Sequence, residues 1–486
     1  MAAASPEGRR SEGSTLHENS QGAKQQHDRD AISLWDPALK GERKAFIKSW
    51  AIGFLLTNVF MWGFLPVYWG SYFRQPQNLY RLTVGLIDLD TPGASAAGET
   101  AVLGPALLQA PSQLPGRNNL GFVQLDNTRF DISSATGGQQ RGIDVHQWAS
   151  DAVLNEDYFG VIIANANATV AALSAYQTVV GGGQANYMAE GALTMYYEEG
   201  RNFETVDQWV APRMNSFLSN YVLGTAATSF LSLISNRIGG LSDAQLAAVN
   251  STALASVISK PFAQATWNLR PISQFAGIPA TSVGMLYLLI FTYFCSMFWN
   301  NARGSFESKI ILRDLIILRV IVPVVIYFFI SLWVSLVTLA FRVSFNQFHG
   351  KGGFPIFWGS NFLTMWALGM PMEIALSFLG PRYTAFFLIA WVILNVSVAF
   401  LDLADMDHFY SYGFVMPVYQ AVQNGKAVIF GTKSRFGQYF GVLTAWVVCG
   451  TIGLILTIMF IRKRTIKKQE REREQKAHEK AHGKAQ

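Results

Sequence analysis

The chain has 486 residues, of which 50% are hydrophobic, 13% are aromatic and only 14% are charged. This composition is too apolar for two ordinary soluble domains and is typical of a polytopic membrane protein with one sizeable aqueous part. The formal net charge is +6, and the tail after Ile461 alone, with ten Lys and Arg against four Glu, also gives +6. A basic excess confined to one tail is no sign of nucleic-acid binding, so no nucleic-acid partner is expected.

The N-terminal segment, residues 1–45, is polar and lacks the apolar stretch of a signal peptide, so we expect a disordered cytoplasmic tail. The apolar run 46–69 is long enough to cross a bilayer and predicts the first transmembrane helix. Lys40, Arg43 and Lys44 lie directly before this run. Because Lys and Arg collect on the cytoplasmic side of membrane helices, this cluster places the N terminus in the cytoplasm.

Residues 70–279 have the composition of a folded aqueous domain, and Lys260 is the only lysine among them. The runs 82–90 and 158–163 are β-type, whereas 205–235 and 242–259 show helical patterns. We therefore expect an α+β domain on the extracytoplasmic side of the membrane, between the first and second spans.

One apolar stretch of this domain, 216–234, is long enough to be considered a span, but Ser, Thr and Asn residues interrupt it. A span there would make the total odd and would place the basic tail outside, against the positive-inside trend, so we reject it. Two sequons, at Asn167 and Asn250, are candidate N-glycosylation sites on the extracytoplasmic side.

The remaining apolar runs predict five clustered transmembrane helices, which gives six spans in all and a polytopic α-helical membrane protein. The loop with Arg303, Lys309 and Arg313 and the short loop with Arg382 then face the cytoplasm, as does the C terminus. The five runs are 280–299, 315–341, 356–379, 385–403 and 439–461, and residues 462–486 form a basic cytoplasmic tail.

The long loop between the last two spans, 403–438, is predicted to form a re-entrant or surface helix. It holds Asp405, Asp407 and His408, which could ligate a metal, but a solvated loop is the simpler interpretation of three such residues. No metal or cofactor is therefore expected, and both cysteines fall in predicted spans, so no disulfide is expected in the aqueous domain.

Polar groups inside predicted spans are costly and are therefore the candidate intramembrane sites. Arg319 and Glu373 lie near the cytoplasmic ends of neighbouring spans. Either Arg319 reaches for the headgroups and Glu373 lies in the interface, or the two form an ion pair, or they serve a proton or a substrate. Asn58 and Asn395 lie near mid-span and either link helices by hydrogen bonds or line a polar pathway. Pro371 should kink or interrupt its helix, for gating or for packing alone.

The order of one span, a large external domain opening on a β-strand and five clustered spans resembles the ABC-2-type membrane-protein superfamily. More narrowly, the chain is similar over about 45–462 to the fungal nitrosoguanidine-resistance family, which shares the domain of unknown function DUF3533. The stretches that carry the resemblance are 48–50, 80–90, 157–163, 270–272 and 283–287.

The resemblance implies a fungal plasma-membrane protein that contributes to resistance to toxic small molecules, by efflux of lipophilic compounds, and that forms a homodimer. The string Gly425–Ser434 lacks the Gly-Lys-Ser/Thr order of a phosphate loop, so an exporter of this kind would need a separate energising subunit. No catalytic constellation is recognisable, so no enzyme is expected. The alternative function is a non-transporting scaffold or receptor whose external domain binds a partner or the cell wall.

Overall fold

The computed structural model describes residues 35–116, 118–130, 143–238, 249, 251–305 and 307–482. The chain divides into two units between Gly63 and Phe64. The first unit is the end of the N-terminal segment together with most of the first membrane helix, and the second unit holds a β-sheet and the remaining membrane helices.

Helix α1, Lys40–Phe73, follows a short 3₁₀ turn whose first N–H groups are capped by the side chain of Asp36. Its carboxylate accepts a hydrogen bond from the backbone N–H of Ala38 at 2.8 Å. The helix thus begins before the predicted span at 46, and the described part of the predicted disordered tail, 35–45, is mostly helical. The cationic cluster of this segment lies on the first turns of α1 rather than before them.

Five strands form one mixed sheet in the second unit: β1 Thr83–Asp88, β2 Gly121–Gln124, β3 Gly160–Ala164, β4 Leu193–Tyr197 and β5 Gln264–Asn268. Their spatial order is β2-β1-β3-β4-β5, with β1 parallel to both neighbours, β4 antiparallel to β3, and β5 parallel to β4. The two strands predicted from the sequence are confirmed as β1 and β3.

Helices cover both faces of this sheet. Leu86 and Ile162 belong to the buried cluster on one face, and Ile87 and Ile163 to the cluster on the other. Strands buried on both faces have nearly continuous apolar sequences, which is why β1 and β3 were recognisable. The helices of this part are α2 Asp90–Ala96, α3 Leu103–Gln109, α4 Val145–Leu154, α5 Ala168–Val180, α6 Phe203–Arg237 and α7 Ser251–Ser259.

Helix α6 is long and apolar enough to cross a membrane, but its buried side belongs to the sheet core. Phe217 stacks on Phe122 of β2 with ring centroids 4.0 Å apart, and Val210 and Phe230 are fully buried in the same cluster. Yet only 33% of the most apolar window of α6 is buried, the same share as in α13. Packing on the sheet thus does not exclude a span by itself, and the rejection of a span at 216–234 stays a prediction.

The described residues contain six helices of sufficient length and apolarity to span a bilayer, α1 and α6 among them, as expected of a polytopic membrane protein. The other four are the long helices of the bundle, and two shorter helices pack with them. These bundle helices are α8 Val283–Arg303, α9 Leu312–Ala340, α10 Gly353–Leu379, α11 Pro381–Val396, α12 Pro417–Phe430 and α13 Phe436–His482.

The predicted span 385–403 is helical only as far as Val396, where α11 ends. Its 16 residues reach about 24 Å, short of a hydrocarbon core of about 30 Å. The chain continues without helical structure through Ser397, Val398 and Ala399, each at most 2% exposed. Irregular backbone at membrane depth is tolerated only when protein buries it, and here the protein does so.

Helix α12 begins inside the bundle and ends at the side of the sheet domain. The indole N–H of Trp446 donates to the backbone oxygen of Val415 at 2.6 Å, and Trp446 lies about 15 Å along α13 from its start. At the other end of α12, Phe430 packs against Gly277, shortly before α8. This is the geometry of a re-entrant helix, one of the two forms predicted for the 403–438 loop.

Candidate functional site

The predicted pairing of Arg319 with Glu373 is present in the bundle, as part of a larger cluster. A guanidinium nitrogen of Arg319 lies 3.3 Å from Glu373 Oε2, and one of Arg303 lies 3.0 Å from the same oxygen. Glu307 approaches Arg303 at 3.1 Å and Arg319 at 3.7 Å. We call these four residues the arginine–glutamate cluster.

The arginine–glutamate cluster joins the ends of three helices, α8, α9 and α10, at the end of the bundle remote from the sheet. The side chain of Glu373 is fully buried and that of Arg319 is 4% exposed, so Arg319 does not reach for headgroups. The Ser377 hydroxyl also accepts a hydrogen bond from Arg319 at 2.5 Å. Two arginines against two glutamates balance the charge, which a buried group requires.

The three other predicted intramembrane residues occupy separate positions. Asn58 is partly exposed in the first unit, and its amide donates to Phe54 of its own helix at 2.8 Å. Asn395 is fully buried; it donates to Trp391 of α11 at 3.0 Å and accepts from the backbone N–H of Val418 in α12 at 3.3 Å. It therefore links two helices, as expected of structural glue.

Helix α10 continues through Pro371 without interruption from Gly353 to Leu379. Pro371 lies beside Gly450 of α13. A Cβ atom added to Gly450 would lie 3.8 Å from the Cδ atom of Pro371 and only 2.8 Å from the Cβ atom of Met370. Because α10 is continuous here, the predicted interruption is wrong, whereas the predicted kink at Pro371 stays a prediction.

Of the two predicted sequons, Asn250 lies outside the described residues. Asn167 precedes α5 in a left-handed conformation with φ of +62°, packed against Gly93. The hydroxyl of Thr169 in the same sequon is buried and donates to Asp90 at 2.6 Å. A glycan at Asn167 stays a prediction, and the buried threonine means that it would have to be attached before the domain folds.

An apolar groove of about 540 Å³ lies on the side of the bundle, between α8 and α9 in the half nearer the sheet. Its size is that of a pocket for a drug-sized molecule. The exposed Val283 and Val337 stand on opposite walls, and Asn361 of α10 lies on the floor with 1% exposure. The lining residues are Ala276, Pro279, Ala280, Val283, Gly284, Met285, Tyr287, Phe291, Val334, Val337, Thr338, Phe341, Phe357 and Asn361.

Charged and polar side chains also meet where the sheet domain contacts the bundle. Arg201 pairs with Asp402 at 3.4 Å, and its guanidinium lies 3.5 Å from the ring centroid of Phe159. The Asp405 carboxylate accepts hydrogen bonds from Gln75 at 2.9 Å and Thr205 at 3.1 Å. We call Glu156, Glu198, Arg201, Asp402, Asp405 and Lys426 the junction cluster.

Two side chains of the junction cluster are buried without a hydrogen-bond partner in the described part of the chain. Among the described residues, the two carboxylate oxygens of Glu198 have no hydrogen-bond partner. The Nζ atom of Lys426 has none among them either. Burial raises the pKa of Glu198 to about 8 and that of Asp405 to about 7. Burial likewise lowers the pKa of Lys426 to about 8, with Asp402, Glu204 and Glu156 opposing this shift.

Sequence reasoning missed residues in all of these sites, and four of them show why. Arg303 was counted only as a loop charge after the predicted span 280–299, although this loop and Glu373 were both assigned to the cytoplasmic side. Asn361 falls in a predicted span and could have been found by the same search that found Asn395. Lys426 and Glu198 gave no signal, because their burial depends on contacts between distant parts of the chain.

Comparison with known proteins gives a family but no function. The family model described as "Protein of unknown function (DUF3533)" matches residues 53–452. The chain is also 21% identical over 427 residues to a Saccharomyces cerevisiae protein named "Uncharacterized endoplasmic reticulum membrane protein YJR015W", covering 86% of this chain and 81% of the relative. No solved structure matches the chain.

Proposed function

This chain belongs to the DUF3533 family, and we propose that it is an exporter-like membrane protein that takes lipophilic toxic compounds from the bilayer. The observation that carries this proposal is the apolar groove between α8 and α9. Its walls include exposed apolar side chains, such as Val283, Tyr287 and Val337, so it opens toward the surroundings of the bundle. Lipophilic compounds partition into the bilayer, where a groove of this kind is accessible to them.

The proposed orientation places both termini in the cytoplasm and the sheet domain on the other side. Support comes from the basic residues at the end of the bundle remote from the sheet, where Arg462 donates to the backbone oxygen of Ile310 at 3.1 Å. The yeast relative is named as an endoplasmic reticulum membrane protein. We therefore propose two locations for the present chain, the endoplasmic reticulum membrane and the plasma membrane. Lumen and cell exterior are equivalent sides, so the orientation is the same in either membrane.

The remaining parts of the proposal rest on the resemblance to ABC-2-type proteins and to the nitrosoguanidine-resistance family. Under this proposal the chain is not an enzyme, acts as a homodimer and receives its energy from a separate subunit. The buried contacts of Asn395 favour a structural role for that residue, so the transport path that we propose runs from the groove rather than through Asn395.

The test is the accumulation of lipophilic fluorescent compounds in cells with and without the protein. Val337→Trp puts a large ring into the groove from an exposed position and should return accumulation to the level of cells without the protein. Val325→Trp makes the same change on the same helix, also at an exposed position but outside the groove, and should leave efflux unchanged. Equal accumulation with and without the protein would refute the exporter proposal.

A second candidate function is the scaffold or receptor, favoured by an open, partly polar cleft of about 840 Å³ that residues around Asn119 line together with Arg74 and Asp407. Arg74, Asn78, Asn119 and Asp407 supply polar groups, and Phe122 an aromatic ring. Under this alternative, Asn119→Arg would abolish resistance while accumulation of every compound stays unchanged. Resistance that follows accumulation in all variants would exclude it.

A further inference from the structure

The floor of the apolar groove carries a hydrogen-bond chain that fixes the orientation of the Asn361 amide. The Nδ2 atom of Asn361 donates to the hydroxyl of Ser335 at 3.0 Å, and this hydroxyl donates its single proton to the backbone oxygen of Ser331 at 2.8 Å. If the amide were rotated by 180°, its oxygen would face a hydroxyl with no proton left to give. The amide nitrogen therefore points to Ser335 and the amide oxygen away from it.

The amide oxygen of Asn361 has no hydrogen-bond partner among the residues that the structure describes, although the side chain is only 1% exposed. An unpaired buried acceptor costs about 1–3 kcal/mol. Asn361 is a lining residue of the groove, so a bound molecule would be its nearest source of a donor. Thr338, on the wall formed by α9, donates its proton to the backbone oxygen of Val334 at 3.2 Å. Its hydroxyl oxygen likewise offers only lone pairs to the groove.

The groove thus combines apolar walls with acceptors, and no Lys, Arg, Asp or Glu is among its lining residues. A cation would find no carboxylate there, and an anion would meet the Asn361 oxygen, which repels it. We propose that the groove binds a neutral, mostly apolar molecule with one hydroxyl or N–H group, which donates to the amide oxygen of Asn361. This inference rests on the proposed function and names the substrate class of the same groove.

The experiment is photolabelling of the full-length protein in phosphatidylcholine nanodiscs with two matched pairs of diazirine probes. One pair is a sterol alcohol and its methyl ether, which represent a bilayer lipid. The other is N-octylbenzamide and its N-methyl derivative, which represent a dissolved lipophilic compound. Each pair differs by one donor, so the donor-bearing member of at least one pair should label peptides 276–291 and 334–341 about three- to tenfold more.

Two variants separate the parts of this inference. Asn361→Leu should bring the labelling ratio of the discriminating pair to about one, while Ser360→Ala, which removes a buried hydroxyl next to it on α10, should preserve the ratio. The pair whose members label differently identifies the source of the ligand. A difference in the sterol pair indicates a bilayer lipid, and a difference in the benzamide pair indicates a dissolved compound.

Failure takes two distinguishable forms. If both members of each pair label the groove equally, and Val337→Trp removes all labelling, the groove binds lipophiles but the donor requirement is wrong. If Val337→Trp changes no labelling, or the groove peptides are not labelled, the groove is not a binding site and the proposed function loses its support as well. A preserved ratio in a folded Asn361→Leu protein also overturns the inference.

Discussion

The arginine–glutamate cluster and the junction cluster lie at opposite ends of the bundle, and they treat buried charge differently. In the first, each of the four side chains lies within 4 Å of a group of opposite charge, the longest separation being the 3.7 Å between Arg319 and Glu307. In the second, only Arg201 and Asp402 form such a pair within the cluster, at 3.4 Å. Glu198 and Lys426 are nearly as buried but have no partner among the described residues.

The difference indicates which buried groups change their protonation near neutral pH. Paired charges in a buried site hold each other ionised, and removing one partner leaves the other uncompensated. The unpaired groups of the junction cluster respond to burial instead by shifted pKa values, which bring Glu198 and Lys426 close to neutral pH. We therefore expect the arginine–glutamate cluster to fix helix positions and the junction cluster to make the contact between sheet domain and bundle sensitive to pH.

The largest effect is expected from Glu373→Gln, which removes the shared partner of two buried arginines. Arg303 and Arg319 would be left with Glu307 alone, and we expect a loss of about 3–5 kcal/mol in the free energy of unfolding. Thermal unfolding of the purified protein in detergent measures this. The control is Glu307→Gln, which removes a 31% exposed carboxylate and leaves Glu373 in place, with an expected cost of about 1 kcal/mol or less. Similar losses in both variants would contradict the central role of Glu373.

The second effect is a fall in stability as the pH rises from 6 to 8. The raised pKa of Glu198, about 8 in the folded protein against 4.5 ordinarily, means that the folded state binds the proton more tightly. Its contribution is therefore lost between pH 4.5 and 8, by about 2 kcal/mol over the upper two units. Asp405, with a pKa of about 7, acts in the same direction.

Glu198→Gln should flatten this profile, as measured by thermal unfolding at pH 6, 7 and 8. The matched control is Glu190→Gln, at an exposed glutamate that pairs with Lys260 at 2.8 Å and whose pKa is lowered rather than raised. Its profile should keep the wild-type slope. A wild-type stability that rises between pH 6 and 8 would show that Glu198 is ionised and paired in solution.

The third effect has the opposite sign, because Lys426→Met should stabilise the protein below pH 8. Burial lowers the pKa of Lys426 from 10.5 to about 8, so below pH 8 the folded state carries the cost of a buried cation, which methionine removes. We expect a gain of about 1–2 kcal/mol at pH 6, diminishing as the pH rises toward 10. Lys433→Met, at a lysine bound to the backbone of Asn155, should give no gain.

If the junction cluster serves transport, the same Lys426→Met variant should lose efflux while it gains stability. Such a trade-off is expected where a destabilising group is retained because function needs it. Efflux at the wild-type level in the stabilised variant would show that Lys426 has no part in transport.

Sequence reasoning located the elements that follow from local patterns. The strands β1 and β3 were recognisable as apolar runs, and most membrane helices by length and apolarity. The approach of Arg319 to Glu373 followed from the antiparallel order of two spans. These inferences need only the chain's immediate neighbourhood and the thickness of a bilayer.

What could not be predicted depends on contacts distant in the sequence. The helical end of α11 at Val396 has no breaker in the sequence; it is followed by irregular backbone that neighbouring elements bury. Helix α6 has the composition of a span, and only its packing on the sheet shows where its apolar side lies. The raised pKa of Glu198 likewise arises from burial in the folded chain, and the charges of Glu156, which raises it, and Arg270, which lowers it, come from more than 40 positions away.

The smallest effect concerns Asn58 and Asn395, two asparagines that both lie near the middle of a predicted span. Both the nitrogen and the oxygen of the Asn395 amide have hydrogen-bond partners, in Trp391 and Val418. This buried neutral group is therefore paired, as the buried charges of the arginine–glutamate cluster are. Asn395→Leu should cost about 1 kcal/mol, since the N–H of Val418 loses its acceptor at the start of α12. Asn58→Leu removes only a bond within its own exposed helix turn and should change thermal unfolding very little. Equal effects of the two substitutions would mean that pairing across helices does not decide the worth of a buried polar group in this bundle.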